Sequence, residues 1–250
     1  MKIAILNYCG TVGKTTLATN LFYPRLPEGG RFFSIESINT SADSVGVEST
    51  KMRGSKFDKL FDEIILEDDA VIDIGASNIE DFLNNMMSYQ DGHELIDRYV
   101  IPVTHGEKEK SESIATIKAL LDMGIEPQDI RIVLNRATVD YKEEFSVIFN
   151  AAKMFKIPLD DRFVIRENDI FRLLQKSSRT IKEALNDNED HKSIAKQYKL
   201  DSKKAEESGD LKKSKDLAKK SMQHIQLLKQ QAMAKSLISS FDLAYEALNE

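Results

Sequence analysis

The stretch NYCGTVGKTT, residues 7–16, holds residue types that bind phosphate. The stretch closes with Gly13, Lys14 and Thr15, and phosphate-binding loops likewise close with a glycine followed by a lysine and a hydroxyl residue. The usual pattern requires a glycine at the position of Tyr8, so it is not matched there. A variant of the pattern requires a glycine two positions later, and Gly10 matches it. The stretch therefore predicts a phosphate site, and the alternative is a strand-to-helix turn that binds no ligand.

Backbone amides, one ammonium and one hydroxyl would do the binding in this loop. We expect Lys14 to neutralise the outer phosphate oxygens and the Thr15 hydroxyl to bind Mg²⁺. Amides of successive residues would form an anion-binding nest. The residues that we expect to contact the phosphates are Gly10, Thr11, Val12, Gly13, Lys14, Thr15 and Thr16.

Short apolar runs alternate with segments of helical period along the first three quarters of the chain. The apolar runs predict buried strands, and they lie at 2–6, 31–35, 63–66, 70–74, 98–103, 131–135 and 162–165. Helical segments between them include 15–23, 78–87 and 108–123. This alternation predicts a doubly wound, mainly parallel α/β sheet with helices on both faces.

The amino-acid composition of the chain changes near residue 186, at the polar stretch NDNEDHK. Beyond it there is no proline and one glycine, and apolar residues recur at helical spacing from Leu217 onward. We therefore predict a nucleotide-binding domain over 1–185 and a C-terminal α-helical appendage over 186–250. The lysines from Lys203 to Lys220 either contact DNA phosphates or form a solvated face that nearby acidic residues partly neutralise.

Composition limits the class of protein. The sequence is 41% hydrophobic and 30% charged, which is typical of folded globular chains. Its net charge of -6 argues against a protein that coats nucleic acid over its whole surface. The single cysteine, Cys9, excludes an internal disulfide and suits a reducing compartment. With no signal-peptide pattern and no apolar run of roughly 20 residues, we expect a cytoplasmic protein without a transmembrane segment.

The loop and several later stretches resemble one known family. ILNYCGTVGKTTLATNL is similar to the opening of the ParA/MinD superfamily of ATPases, which carry a deviant Walker A loop. AVIDIGASNIEDFL, YVIPVTHG and RIVLNR resemble later strands of that family, and the likeness extends over about residues 1–185. Within the superfamily, VIDIGASN and the relaxed loop are most similar to plasmid-encoded StbB-type stability proteins and conjugation ATPases.

The resemblance implies roles for residues outside the loop. Asp73 corresponds to the aspartate that holds magnesium together with Thr15, often through water. Asn135 corresponds to the asparagine that reads adenine, and we expect the adjacent Arg136 to contact the nucleotide as well. The family further implies ATP or ADP with Mg²⁺ as cofactors, an ATP-dependent homodimer, and a DNA-binding, relaxosome or partition protein as partner.

Two departures from the family bear on catalysis. Cys9 stands where the family has a lysine that reaches the phosphates of the second subunit, so either Lys108 or Lys110 replaces it or hydrolysis is slow. In the motif after the second strand, Glu36 keeps the first acidic position and Asp43 is the candidate for orienting the attacking water. The alternative is that both are solvated acids. Lys14, Glu36 and Asp43 are thus the predicted catalytic residues.

The four histidines show no pairing or metal-binding spacing in the sequence. They lie at positions 93, 105, 191 and 224. We therefore expect surface or core roles for them rather than metal ligation.

These observations favour a ParA/MinD-like molecular switch that hydrolyses ATP, at a rate that Cys9 would lower, in plasmid partition, plasmid stability or conjugative transfer. Two alternatives stay open. One is a scaffold that binds ATP with little or no hydrolysis and recruits a partner. The other is a ligase or kinase that uses ATP to activate a small molecule.

Overall fold

The computed structural model describes residues 1–35, 50–52, 57–88, 92–177 and 179–248. Its strands are β1 (Lys2–Ile5), β2 (Arg31–Ile35), β3 (Thr50–Met52), β4 (Ala70–Ile74), β5 (Arg98–Val103), β6 (Ile130–Ala137) and β7 (Val164–Arg166). They form one sheet in the order β3-β2-β4-β1-β5-β6-β7. Every neighbouring pair in this sheet is parallel.

The α-helices of the described residues connect these strands and then continue beyond the sheet. They are α1 (Lys14–Leu17), α2 (Phe57–Leu66), α3 (Ile79–Ser88), α4 (Glu107–Asp122), α5 (Tyr141–Glu144), α6 (Ser146–Phe155), α7 (Ile170–Ser177), α8 (Ile181–Asn186), α9 (His191–Glu207) and α10 (Leu211–Leu248). The last helix alone has 38 residues.

The strand order explains why helices cover both faces of the sheet. From β1 the chain passes through α1 toward the β3 edge, whereas α3 and α4 carry it toward the β7 edge. Parallel strands are joined by right-handed crossovers, and crossovers that run in opposite directions put their helices on opposite faces. The predicted doubly wound sheet is confirmed, as is the long helical segment at the C-terminus.

The strands are apolar on both faces because both faces are covered. All five residues of β4 are buried, and so are five of the six residues of β5. On one face, Phe61 of α2 stacks on Phe82 of α3 with 5.7 Å between ring centroids, and both rings belong to the main core. Each such ring stabilises the fold by roughly 1.5–3 kcal/mol relative to an exposed one.

The structure corrects one predicted strand and adds another. The run at 63–66 is the last turn of α2, where Phe61 and Ile64 are three residues apart and point into the same core. Short apolar runs fit a buried strand and a buried helix equally well, which explains the error. The three-residue strand β3 was not predicted.

The described residues divide into two compact units. The first comprises Met1–Glu167 and Ser240–Glu250, and the second comprises Asn168–Ser239. The sheet belongs wholly to the first unit, and α7, α8 and α9 belong to the second. Helix α10 contributes its first part to the second unit and its last turns to the first. The predicted division at residue 186 stays a prediction about domain organisation.

Among the described helices, none combines the length and the apolar character needed to cross a lipid bilayer.

Candidate functional site

The predicted phosphate loop follows β1 at the carboxyl edge of the sheet. Asn7, which is fully buried, holds the start of the loop in place. Its amide nitrogen donates to the carbonyl of Pro102 at 2.8 Å and to the hydroxyl of Ser113 at 2.6 Å. Its side-chain oxygen accepts the backbone N–H of Cys9 at 2.7 Å. Hydrogen bonds of Asn7 therefore hold the start of the loop against β5 and α4, before the chain turns into α1.

The ammonium of Lys14 lies within the curve of this loop. The residue is only 5% exposed, and its Nζ donates to the carbonyls of Asn7 at 2.9 Å and Cys9 at 2.6 Å. Lys14 is also the first residue of α1. A buried cation at the amino end of a helix, surrounded by loop backbone, is an arrangement that attracts anions.

Gly13 turns the chain into α1 in a conformation that favours glycine. Its φ of 88° lies in the left-handed region, and a Cβ atom there would stand 2.6 Å from Nδ2 of Asn135. That same Nδ2 donates to the carbonyl of Val12 at 2.8 Å, so Asn135 ties the end of β6 to the loop. Close approach and backbone conformation both require glycine at this position.

Arg136 follows Asn135 at an irregularity in the pairing of β6 with β7. It has a positive φ of 55°, its side chain is exposed, and its backbone N–H donates to the side-chain oxygen of Asn135 at 3.0 Å. The structure thus brings Asn135 to the loop, with Arg136 next to it in the chain. Their contact with an adenine base stays a prediction.

Asp73 lies beside the beginning of the loop. In the sheet it pairs with Ile5 of β1 on one side and with Ser34 of β2 on the other, and it is 1% exposed. A carboxylate buried at the carboxyl end of a parallel strand, next to a phosphate loop, is a suitable donor for Mg²⁺ or for its bound water. The structure therefore gathers Asp73 and Lys14 at the same edge of the sheet.

The helix after the loop is irregular. Helix α1 continues as a π-helix over Ala18–Phe22 and a 3₁₀ turn over Tyr23–Arg25. The hydroxyl of Thr19 donates to the carbonyl of Thr15 at 2.7 Å, and the amide of Asn20 donates to that of Thr16 at 2.9 Å. Side chains that bond the carbonyl four residues back compete with the helix's own ladder, and π-type turns are frequent at functional sites.

Cys9 and Thr11 form the part of the loop that differs from the ParA/MinD pattern that the sequence otherwise resembles. Cys9 is 4% exposed, and its Sγ lies 3.4 Å from the hydroxyl oxygen of Thr11. That hydroxyl donates to Glu109 of α4 at 3.3 Å. The loop is thus closed against α4 by polar contacts at a position where the family carries a positive charge.

The two lysines considered as replacements each form an ion pair with a glutamate of α4. Lys108 lies 3.6 Å from Glu112 on an exposed face. Lys110 is largely buried, with its Nζ 2.5 Å from Glu107 and 3.3 Å from the carbonyl of Glu144. Burial of Lys110 argues against its replacing the missing charge, whereas the exposed pair of Lys108 is weak and leaves that lysine as a candidate.

Tyr8, at the position of the missing first glycine, lies half-buried at the loop. Burial, and next the carboxylate of Glu80, raise the pKa of its phenol, so the hydroxyl stays neutral. The other two predicted catalytic residues, Glu36 and Asp43, lie outside the described residues, and their roles stay predictions.

Sequence reasoning missed one cluster entirely. The Nδ1 atoms of His191 and His224 lie 2.9 Å apart in the second unit, although 33 residues separate them in the chain. Their spacing in the sequence shows no pairing, and the structure nevertheless brings these two together. The helical period of the C-terminal segment was the only feature of the sequence that bore on this cluster, because it places both histidines on helices. That period does not show which helix faces pack together.

Comparison with known proteins agrees with this architecture. No protein-family model matches the sequence, and no curated protein matches it. Among solved structures, the MinC:MinD cell division protein complex of Aquifex aeolicus is similar with a TM-score of 0.52 and 16% identity, over 74% of this chain and 88% of that one. The MinD cell division protein of the same organism gives a TM-score of 0.50 and 15% identity, over 76% and 91%. The chain therefore has a MinD-like P-loop fold.

Proposed function

We propose that this protein is an ATP-binding, Mg²⁺-dependent molecular switch of the ParA/MinD kind. The observation that carries the proposal is the buried Lys14 ammonium, held by the loop carbonyls of Asn7 and Cys9 at the carboxyl edge of a MinD-like sheet. Burying an ammonium group costs desolvation free energy, and a bound anion would offset that cost. A ligand-free strand-to-helix turn has no need of a lysine at this position.

The donor groups in and around the loop suit a nucleoside triphosphate with magnesium. Lys14 and the amides from Gly10 to Thr16 would hold the phosphates, and the Thr15 hydroxyl with Asp73 would hold the metal. Asn135 and Arg136 would contact the base. When bound, ATP supplies a phosphoanhydride bond and the negative charge that links two subunits of such switches.

A calorimetric titration tests the site. With Mg²⁺ and a non-hydrolysable ATP analogue, we expect saturable binding that weakens about 10- to 100-fold in Lys14→Ala, the usual loss for a charge-assisted hydrogen bond. Lys118→Ala is the matched control, because this exposed lysine of α4 lies outside the loop and the variant should bind as the wild type does. Absence of binding by the wild type would refute the proposal.

A second variant covers the case in which removal of buried Lys14 disturbs folding. Thr15→Ala removes a half-buried hydroxyl, and we expect it to abolish the gain in affinity that Mg²⁺ gives the wild type. Equal magnesium dependence in both proteins would contradict the assignment of Thr15. Size-exclusion chromatography with and without the analogue then shows whether ATP drives dimerisation, as a switch requires and a monomeric ligase or kinase does not.

A scaffold that binds ATP with little hydrolysis is the second candidate, and Cys9 favours it. Its short, buried side chain cannot reach across to a second subunit as the family's lysine does. Phosphoryl transfer depends almost wholly on positioning and charge neutralisation, so loss of that cation lowers turnover more than binding. Tight ATP binding with near-zero phosphate release, even with DNA added, supports the scaffold; steady release supports the switch.

We infer a role in plasmid partition, plasmid stability or conjugative transfer from the resemblance to StbB-type proteins. A homodimer and a DNA-binding, relaxosome or partition partner belong to that proposal. Seven lysines and four acidic residues lie between Lys203 and Lys220, around the turn that joins α9 to α10, and all seven lysines are exposed. This surface is the proposed DNA contact, and it predicts binding that weakens steeply as salt rises.

A further inference from the structure

Four side chains converge in the helical unit formed by residues 168–239. The two Nδ1 atoms of His191 and His224 are 2.9 Å apart, and a carboxylate oxygen of Glu189 lies 3.6 Å from Nδ1 of His191. One potential ligand atom from each of these three residues lies within 4.8 Å of the other two. On the far side of the His191 ring, Asp187 Oδ2 lies 2.9 Å from Nε2.

Local structure explains why these residues meet. Asp190 caps the amino end of α9 by accepting the backbone N–H of Ser193, so His191 is the first residue of that helix. Asp187 and Glu189 come from the turn that precedes it. His224 lies on α10, which packs along α9 and is held there by the Ser221 hydroxyl on the carbonyl of Ala195 at 2.8 Å.

The orientation of His191 is set by its surroundings. The residue is 1% exposed, and its Nε2–H donates to Asp187, leaving the lone pair of Nδ1 directed at His224. Asp187 is itself held by Arg179 at 2.8 Å and by Gln231 at 3.2 Å. A carboxylate behind an imidazole, fixing its tautomer and ring orientation, is the usual second layer of a histidine metal site.

We propose that His191, His224 and Glu189 bind a divalent transition-metal ion of the zinc type. Two Zn–N bonds of 2.0–2.1 Å at a tetrahedral angle place the nitrogens roughly 3.3 Å apart. The observed 2.9 Å therefore has to open by only about 0.4 Å. Two imidazoles and a carboxylate suit zinc and its neighbours in the first transition series, whereas magnesium prefers oxygen ligands.

An open cleft gives access to the site and supplies its fourth position. The cleft has a volume of about 710 Å³, and Asp187, Glu189 and His191 are among its lining residues. Water from the cleft would complete the coordination. The ion would then join the start of α9 to α10 and stabilise the helical unit. This site shares no residue with the nucleotide site, so it does not depend on the proposed function.

A competing arrangement is a hydrogen bond between the two imidazoles with no metal. It requires His224 to keep a proton on Nδ1, whereas metal binding requires the lone pairs of both Nδ1 atoms to face the ion. The two arrangements therefore predict opposite results when zinc is added to metal-free protein.

The test titrates the metal-free full-length chain with Zn²⁺ by calorimetry, and with Co²⁺ by visible absorption. We expect one ion per chain and a Co²⁺ spectrum typical of tetrahedral coordination. His224→Gln should lower zinc affinity about 100-fold or more, and Asp187→Asn about 10- to 100-fold, because it releases the orientation of His191. His93→Gln is the matched control and should bind zinc as the wild type does.

Two results would overturn the proposal: no saturable zinc binding by the wild type, or unchanged affinity in His224→Gln. If circular dichroism shows that His224→Gln is unfolded, Glu189→Gln decides instead. Its side chain is 67% exposed, so the substitution leaves packing intact. We expect about a 10-fold loss of zinc affinity in that variant, and unaltered affinity there would refute the site.

Discussion

At the scale of single residues, Gly13 and Lys14 shape the predicted phosphate loop. Lys14 brings the charge, and Gly13 provides the turn that carries it into position. The contact of Asn135 with the carbonyl of Val12 shows how little room the turn leaves, since the same nitrogen would be 2.6 Å from a Cβ at position 13. In this motif Lys14 supplies a positive charge, and Gly13 leaves room for the side chain of Asn135.

Gly13→Ala should destabilise the protein for both of these reasons. We expect about 1–2 kcal/mol from forcing a residue with a Cβ into the left-handed region, and a further loss from the clash with Asn135. When Asn135 is also replaced by alanine, the clash is removed, so Gly13→Ala should lower the free energy of unfolding only by the cost of the left-handed backbone conformation. The free energy of unfolding from urea titrations of the four proteins of this cycle measures the difference.

Gly10→Ala is the control for that cycle. No atom lies within 4 Å of a Cβ built at Gly10, and its φ is not positive, so the expected change is within about 0.5 kcal/mol. A cost at Gly13 that equals the cost at Gly10 would show that the turn is not constrained as described.

At the scale of elements, side-chain hydrogen bonds at the helix ends help to define where a helix begins. Helix α8 begins with a capping box, in which the Thr180 hydroxyl accepts the N–H of Glu183 and the Glu183 carboxylate accepts the N–H of Thr180 at 2.7 Å. In the predicted helix at 15–23, a π-helical segment over Ala18–Phe22 occurs together with side-chain bonds of Thr19 and Asn20 to the carbonyls four residues back.

Thr180→Ala should lower the free energy of unfolding of the helical unit by about 1 kcal/mol at neutral pH. The backbone N–H and the hydroxyl of Thr180 hold the pKa of Glu183 below its usual 4.5 in the folded state. A depressed pKa means that this stabilisation is present above pH 4.5 and is lost as the pH falls through the folded value. The cost of the substitution should therefore shrink in acid.

Urea titrations followed by circular dichroism, repeated from neutral pH to below 4.5, measure this dependence. Lys182→Ala, an exposed change in the same helix, should shift the free energy of unfolding by no more than about 0.5 kcal/mol. If the cost of Thr180→Ala stayed constant with pH, the capping box would not be the cause of the depressed pKa.

At the scale of the whole molecule, the C-terminal residues belong to the sheet-containing unit. Phe241 is fully buried, with the guanidinium of Arg25 5.8 Å from its ring centroid, and Arg25 also pairs with Asp242 at 2.6 Å. Arg98, at the start of β5, donates to the carbonyl of Leu248 at 3.2 Å. The end of the chain therefore belongs to the packing of the sheet-containing unit.

Phe241→Ala should consequently destabilise the sheet-containing unit by about 3–5 kcal/mol, as expected for removal of a buried aromatic side chain. Leu243→Ala, two residues away and 52% exposed, should change the free energy of unfolding by about 0.5 kcal/mol. Denaturation curves of the two variants provide the comparison. A similar small effect for both would mean that the last turns of α10 are an external appendage.

The sequence alone determined the class of fold and the strands that contain Asp73 and Asn135, while the roles of the loop and of these two residues at a nucleotide site stay predictions. Each depends on local pattern: apolar runs identify buried strands, and a parallel sheet brings their carboxyl ends to one edge. The strand predicted at 63–66 failed for the same reason, because four apolar residues carry too little pattern to separate strand from helix.

Only the tertiary structure decided which distant surfaces meet. It placed Asn7 between β5 and α4, paired Asn135 with Val12, joined His191 to His224, and returned Phe241 to the sheet-containing unit. Helical period shows that a face is apolar without showing which partner covers it. That choice depends on the summed packing of many side chains across long separations in the chain, which no single stretch of sequence contains.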